Sequence, residues 1–192
     1  MSVRTEIEKE AGIYFITITC HKWLPLFQMA DAYQSVFNWF SALERDENKI
    51  AAFVILPNHL HVLIEFNNVS KSVNQYVANG KRFMAYDIVK KLKAKKFHEV
   101  LSQLQEGVNT TQKNLGKKHE VFEPSFECKR CMTNVFTLQK LNYIHNNPVK
   151  GKWNLVENPV DYKYSSMKQY ETGEPGMHAV TLMHSLEHFS FL

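Results

Sequence analysis

Short apolar runs alternate with longer amphipathic segments along the chain. The run GIYFITITC at 12–20 is rich in β-branched and aromatic residues, which predicts a strand. The segment 31–48 repeats its apolar residues near helical spacing and predicts an amphipathic helix. The apolar positions of that helix are Val36, Phe37, Phe40 and Leu43.

Two further apolar runs lie close together in the middle of the chain. KIAAFVIL occupies 49–56 and HLHVLIEF occupies 59–66, and only Pro57 and Asn58 separate them. Proline and asparagine are residues that favour tight turns. The pattern therefore predicts an antiparallel β-hairpin.

After the hairpin the chain becomes basic and then polar. Residues 71–97 predict a long basic helix, in which Gly80 is a candidate interruption. Residues 105–119 are polar, have no periodicity and predict a loop. The segment 121–132 predicts a short strand. Pro124 favours an edge position for that strand, because proline cannot donate a hydrogen bond to a neighbouring strand.

The last clear helix is predicted at 133–147. It ends before Pro148, because the residue that precedes a proline is disfavoured in the helical conformation. From 149 onward the chain is rich in turns, with one short helical candidate at 181–189. The order strand, helix, hairpin, helix, strand, helix predicts an α+β sandwich, with one antiparallel sheet and helices packed on one face.

Composition adds expectations about size and location. The 192 residues predict a single domain spanning 1–192, with 44% hydrophobic and 22% charged residues, as in ordinary globular proteins. No apolar run is long enough to cross a membrane, and the first twelve residues lack the apolar centre of a signal peptide. The three cysteines are too few for a disulfide framework. We therefore expect a cytoplasmic protein without a membrane partner.

Positive charge is concentrated in one segment. Residues 71–98 contain eight lysine and arginine residues and a single acid, Asp87. Such an element is either a footprint for a polyanion or simply a solvated helix. The candidate DNA-binding residues are Lys71, Lys81, Arg82, Lys90, Lys91 and Lys93, with Lys95 and Lys96 in the same run.

Two histidines stand on the second strand of the predicted hairpin. Side chains alternate across a strand, so His59 and His61 point to one side, while Leu60 and Val62 point to the apolar side. The backbone rise separates the two histidines by roughly 7 Å. Two imidazoles at this separation can share one divalent cation. Alternatively, both merely lie on the less buried face of the hairpin.

A helical wheel divides the helix at 133–147 into two faces. Tyr143 and Asn147 are one turn apart on the face opposite the apolar stripe, near Phe136 and Gln139. An aromatic hydroxyl beside amides is a candidate for chemistry, although Tyr143 could also cover a minor apolar cluster. The inward stripe is predicted to contain Thr137, Leu138, Leu141, Ile144 and His145.

Together these motifs resemble a known family. LPNHLHVLI, followed by NYIHNNPVKGKW, is similar to the single-tyrosine HUH transposases of insertion sequences, and among them to the REP-associated tyrosine transposases. YFITITCHK, FEPSFE and DYKYSS at 161–166 support the resemblance, which spans roughly residues 13–170. It implies a ferredoxin-like or RRM-like fold of the HUH endonuclease type. The segment 105–119, the CKRC sequence at 128–131 and the tail 171–192 depart from the family pattern.

The resemblance also implies a site and a reaction. Tyr143 maps onto the nucleophile, and His59, His61 and Asn147 map onto the ligands of one Mg²⁺ or Mn²⁺ ion. The implied reaction cleaves and rejoins single-stranded DNA next to a hairpin through a 5′-phosphotyrosine. Gln139, one turn before Tyr143, is a further candidate site residue. The family implies a monomer or a homodimer.

Three other functions remain open at the level of sequence. Cys128 and Cys131, with Cys20 and His21, could form a zinc site. A hairpin-binding module without catalysis would not need Tyr143. A metal hydrolase would use water as its nucleophile and would form no adduct with DNA.

Overall fold

An antiparallel sheet lies at the centre of the computed structural model, which describes residues 2–3, 7, 9–67, 70–151 and 154–183. Within these residues the sheet has five strands in the order β1-β5-β2-β4-β3. The predicted α+β class with an antiparallel sheet is confirmed. The strands are β1 (Ser2–Val3), β2 (Gly12–Thr19), β3 (Lys49–Ile55), β4 (His59–Phe66) and β5 (Phe126–Arg130).

Helices follow the strands along the described chain. The predicted helix at 31–48 is preceded by a separate short helix, and the segment predicted as a loop at 105–119 contains helical turns. The helices are α1 (Leu26–Ala30), α2 (Tyr33–Arg45), α3 (Val73–Ala94), α4 (His98–Glu106), α5 (Thr110–Asn114), α6 (Asn134–Asn146) and α7 (Met167–Thr172). None of the described helices is both long enough and apolar enough to span a membrane.

The predicted hairpin is confirmed. β3 and β4 pair antiparallel, and the backbone N–H of Leu56 donates to the carbonyl of His59 at 2.8 Å. β2 pairs with the other edge of β4, in a register that places Thr17 opposite His61 and Thr19 opposite His59. Both histidines thus lie in a central strand of the sheet.

One face of the sheet packs against α1, α2 and α3 and contains the larger core. Phe40 of α2 meets Phe53 of β3 with ring centroids 5.3 Å apart, and Ile64 of β4 belongs to the same cluster. α3 continues without a break through Gly80, contrary to the predicted interruption. A Cβ at Gly80 would lie 2.6 Å from the indole of Trp39, so this glycine permits close packing of α3 on α2.

The opposite face of the sheet is covered by α6. Leu141 and Ile144 of this helix pack with Phe15 and Leu63, two apolar residues on the same side as the histidines. The prediction that helices cover only one face is therefore wrong, because this second apolar patch also has to be removed from water. The predicted inward stripe is confirmed, since Thr137, Leu141, Ile144 and His145 are buried and Leu138 is partly buried.

Two predictions near the chain's end change in detail. Strand β5 begins after Pro124, and its first two residues pair with β1, so only its later part forms an edge. The chain then returns to β3, where Ser166 N–H donates to the carbonyl of Phe53 at 3.0 Å. The helical candidate at 181–189 lies largely outside the described residues.

Candidate active site

The two histidines of β4 lie side by side and almost out of contact with water. Their ring centroids are 4.7 Å apart, and the exposed fractions are 7% for His59 and 4% for His61. Each ring has a hydrogen-bond partner at Nδ1. Nδ1 of His59 lies 2.6 Å from Oδ1 of Asn58, and Nδ1 of His61 lies 2.8 Å from Oγ1 of Thr17.

These partners determine which ring nitrogen carries the proton. The Oδ1 atom of Asn58 can only accept, so Nδ1 of His59 must donate to it. Thr17 donates its hydroxyl proton to Oε2 of Glu127 at 3.3 Å, so its oxygen accepts from Nδ1 of His61. In this arrangement both Nε2 atoms present lone pairs. Outer hydrogen bonds of this kind orient histidines that bind metals.

The electrostatic environment keeps both imidazoles neutral. Burial lowers the pKa of His59 to about 4. Burial lowers the pKa of His61 well below its usual value, and the nearby His59 and Lys140 lower it further. Neutral imidazole is the form that binds a divalent cation. The pair therefore suits a metal ion, with Nε2 of each ring as the ligand atom.

Tyr143 reaches the histidine pair from α6. Its hydroxyl oxygen lies 3.5 Å from Nε2 of His61, and the two rings meet edge to face at 5.0 Å. The tyrosine remains 47% exposed. Asn147 follows one turn later and caps the C-terminal end of α6, and Gln139 is exposed one turn before Tyr143.

Sequence reasoning missed the roles of Thr17, Glu127 and Lys140 near this cluster. Thr17 and Glu127 are paired across β2 and β5, and Glu127 ends the FEPSFE motif. The Nζ atom of Lys140 lies 5.5 Å from the ring centre of Tyr143 and 4.5 Å from that of Phe15. The i, i+3 spacing of Lys140 and Tyr143 on α6 is a signal that could have identified this lysine.

The C-terminal segment anchors the helix that carries Tyr143. Nε2 of His145 lies 2.9 Å from Oγ of Ser166, which accepts a hydrogen bond from the backbone N–H of Phe53 at 3.0 Å. Nδ1 of His145 has no hydrogen-bond partner among the described residues. Burial lowers the pKa of His145 to about 3, so this imidazole is neutral. The buried, uncharged contact between His145 and Ser166 therefore links α6 to β3.

The predicted DNA-binding residues separate into two groups. Lys71 forms an ion pair with Asp46 at 2.6 Å, and Lys91 pairs with Asp87 at 3.0 Å. Lys81 donates to the carbonyl of Glu123 at 2.6 Å, and burial lowers its pKa to about 8. These three lysines have partners within the chain. The remaining candidates, Arg82, Lys90 and Lys93, are exposed.

Arg82, Lys90 and Lys93 line a groove beside α3. The groove measures about 1510 Å³ and lies between α3 and residues 112–126. Glu120 and Glu123 are its acidic residues, and Tyr86 contributes an exposed ring. The basic side chains outnumber these acids, so the groove suits an anionic ligand. They are Lys81, Arg82, Lys90, Lys93, Lys117 and Lys118.

The zinc site considered from sequence is not formed. Cys128 packs against the core on the α3 side of the sheet, whereas Cys131 packs against the core beneath α6. Cys20 is buried in the core on the α3 side of the sheet, so the three thiols do not converge on one site. Across the described residues, no group of three or more His, Cys, Asp and Glu side chains could hold a metal. The candidate metal ligands His59, His61 and Asn147 include only two residues of these four types.

The chain is similar to solved structures but matches no protein-family profile and no curated protein by sequence. The chain is similar to the solved structure of a REP-associated tyrosine transposase bound to a REP hairpin, with a TM-score of 0.58. The identity is 17%, over 93% of this chain and 98% of that chain.

A second solved structure is less similar. It is a candidate transposase from Deinococcus radiodurans R1, with a TM-score of 0.41 and 14% identity over 76% of this chain and 96% of that chain. The first likeness extends over almost the whole of both chains. The chain therefore has the fold of a REP-associated tyrosine transposase.

Proposed function

We propose that the chain is a metal-dependent endonuclease and transposase of the REP-associated tyrosine transposase family. It cleaves and rejoins single-stranded DNA next to a hairpin, and Tyr143 is the nucleophile. The observation that carries this proposal is the 3.5 Å distance between the Tyr143 hydroxyl oxygen and Nε2 of His61. A half-exposed phenol beside two buried, neutral imidazoles is suited to phosphate chemistry and has no evident role in the core.

The proposed reaction is a transesterification at one phosphodiester. The phenolic oxygen of Tyr143 attacks phosphorus and forms a new P–O bond, while the bond to the 3′ oxygen breaks. The proton lost by the phenol balances the proton gained by the leaving 3′ oxygen. The products are a 5′-phosphotyrosine and a free 3′ hydroxyl group. Attack by another 3′ hydroxyl reverses the step, so the strand is rejoined without a nucleotide cofactor.

His59, His61 and Asn147 are the residues proposed to hold Mg²⁺ or Mn²⁺. The hydrogen bonds at Nδ1 of both rings support this assignment, because they leave the Nε2 lone pairs for a cation. When bound, the ion would polarise the phosphate and stabilise the charge that develops during attack. Gln139 stays a candidate for contact with the substrate near Tyr143.

The basic groove is the proposed position of the DNA backbone. Arg82, Lys90 and Lys93 are exposed there and are available to phosphates. The solved transposase of the same fold is described as bound to a REP hairpin, which supports a hairpin as the partner. Tyr143 and His61 belong to one chain, which favours cleavage by a single copy over an exchange of tyrosine helices between two copies.

A covalent trapping experiment tests the proposal. The protein is incubated with labelled hairpin DNA that carries single-stranded arms, in Mg²⁺ or Mn²⁺, and is then resolved under denaturing conditions. We expect an adduct that is lost in EDTA and lost in Tyr143→Phe. Tyr164→Phe is the matched control, because it also removes a tyrosine hydroxyl, but Tyr164 packs on the larger core and does not line the groove.

The same experiment separates the other functions. A hairpin-binding module without catalysis would bind the DNA equally well before and after Tyr143→Phe and would form no adduct. The basic groove alone is compatible with that function. A hydrolase that uses water would cleave the DNA in both proteins without any adduct. Either result would overturn the assignment of Tyr143 as nucleophile.

A further inference from the structure

Trp23 has an unusual position for a tryptophan. It ends the 3₁₀ turn His21–Trp23 after β2, and 56% of it is exposed. Its ring centroid lies 5.4 Å from that of His59, with the ring planes at 72°. The imidazole therefore meets the indole edge to face and does not cover it as a stacked ring would. A large flat apolar surface is left facing solvent beside the candidate metal ligand.

The backbone that carries Trp23 is held in an uncommon conformation. Lys22 and Trp23 have φ angles of 50° and 58°, in the left-handed region that side chains other than glycine rarely adopt. Hydrogen bonds maintain this turn, and three of them involve Lys22 and Trp23. Lys22 N–H donates to Oε1 of Glu123 at 2.7 Å, Trp23 N–H donates to the carbonyl of Cys20 at 3.0 Å, and Nδ2 of Asn58 donates to the carbonyl of Trp23 at 3.1 Å.

One of these contacts connects Trp23 directly to the histidine pair. The carboxamide of Asn58 donates to Trp23 through Nδ2 and accepts from Nδ1 of His59 through Oδ1. A single side chain thus contacts both the imidazole and the backbone that carries the indole. Backbone strain that is maintained by surrounding contacts is concentrated at functional sites. Burial of the indole cannot be the reason for the strained backbone, because the indole is exposed.

We propose that Trp23 is a stacking platform for an unpaired nucleobase next to the phosphate that is cleaved. This inference rests on the proposed function, since it takes single-stranded DNA as the substrate. Aromatic side chains bind single strands by stacking on bases, and tryptophan offers the largest ring surface. Lys22 is exposed on the same turn and is placed to contact an adjacent phosphate. The platform would position the strand so that the phosphate lies between Tyr143 and the imidazoles.

The experiment measures binding without chemistry. Two DNA hairpins with single-stranded arms of about ten nucleotides, within the usual site size for single strands, are compared in EDTA by fluorescence anisotropy. In one the arms carry all their bases, and in the other the arm nucleotides are abasic. Each is titrated with the full-length wild type, Trp23→Ala and Trp23→Phe. The fold should tolerate these changes, because the side chain is exposed and its backbone contacts do not depend on it.

We expect the wild type to prefer intact arms by about tenfold, within the range for stacking of a base on an aromatic ring. Trp23→Ala should bind both probes alike, and Trp23→Phe should retain most of the preference. The inference is overturned if Trp23→Ala keeps the wild-type preference, or if the wild type does not distinguish the probes or binds neither. If the preference depends on Trp23 but no adduct forms with Mg²⁺ or Mn²⁺, the platform stands and the catalytic proposal fails.

Discussion

The hydroxyl oxygen of Tyr143 lies 3.5 Å from Nε2 of His61, although 82 residues separate them along the chain. The contact exists because α6 buries Leu141 and Ile144 against the face of the sheet that also carries the histidines. Tyr143 lies on the exposed side of that helix, next to the histidine pair. The packing that stabilises α6 therefore also delivers the phenol to the imidazole pair.

Thr17 is expected to control metal affinity without touching the metal. Thr17→Val removes the oxygen that orients the His61 ring and is predicted to weaken Mn²⁺ binding by about 10- to 100-fold, the usual effect of losing such a partner. Isothermal titration calorimetry with Mn²⁺ measures the change. Thr17→Ser keeps the hydroxyl group and should bind like the wild type. Equal affinities for all three proteins would show that Thr17 does not position His61.

Lys140 is expected to assist the chemical step. Its ammonium group lies 5.5 Å from the Tyr143 ring centre and can stabilise negative charge on the phenolic oxygen and the phosphate. Lys140→Met should slow single-turnover adduct formation by about tenfold, or ~1.4 kcal/mol in the barrier. Lys140→Arg keeps the charge and should recover most of the rate. An unchanged rate in Lys140→Met would exclude an electrostatic role.

The basic groove is expected to determine how DNA binding responds to salt. Replacing Arg82, Lys90 and Lys93 together with glutamine should reduce the magnitude of the slope of log K against log salt by about 2 to 3, because each lost phosphate contact contributes about 0.7 on single strands and about 0.9 on duplex DNA. Lys71→Gln is the control, since Lys71 is already paired with Asp46. Anisotropy titrations over a range of salt concentrations measure both slopes. A larger effect from Lys71→Gln would place the DNA elsewhere.

Ser166 is expected to stabilise the fold through α6. Ser166→Ala leaves Nε2 of His145 and the N–H of Phe53 without this partner in the interior. Loss of such buried contacts costs about 1–3 kcal/mol of unfolding free energy. Urea denaturation measures the difference. Ser102→Ala, which alters an exposed hydrogen bond on α4, should change stability by less than about 0.5 kcal/mol.

Stability is expected to fall as the pH is lowered below about 6.5, the ordinary histidine pKa. Burial lowers the pKa of His145 to about 3 and that of His59 to about 4 in the folded chain. Between these values and 6.5, the unfolded chain binds more protons than the folded one, so acid favours unfolding. Each group contributes at most about 1.4 kcal/mol per pH unit in this window. The stabilisation is complete above 6.5 and is lost progressively below it.

Urea denaturation at several pH values between about 4 and 8 checks this dependence, because that range covers the ordinary histidine pKa and most of the window below it. In His145→Gln one titrating group is removed, so the curve of stability against pH should be shallower than in the wild type. Identical curves for the two proteins would show that the pKa of His145 is the same in the folded and the unfolded chain. An exposed histidine such as His98 provides the control substitution, His98→Gln.

Much of the local structure is determined by the sequence alone. The alternation of side chains in 59–66 places His59 and His61 on one face, whatever surrounds the strand. Helical periodicity likewise separates Tyr143 from the buried stripe of Leu141 and Ile144. These relations depend only on backbone geometry over a few residues. For this reason the hairpin and the two faces of α6 could be predicted before the fold was known.

Only the tertiary structure decided what surrounds these side chains. The register of β2 against β4 places Thr17 opposite His61, and the insertion of β5 beside β2 brings Glu127 to Thr17. Packing also decided that α6 covers the second face, and that Lys71 meets Asp46 while Arg82 stays exposed. Such contacts join residues far apart in the chain. They depend on how entire elements pack to bury apolar surface, which no local pattern encodes.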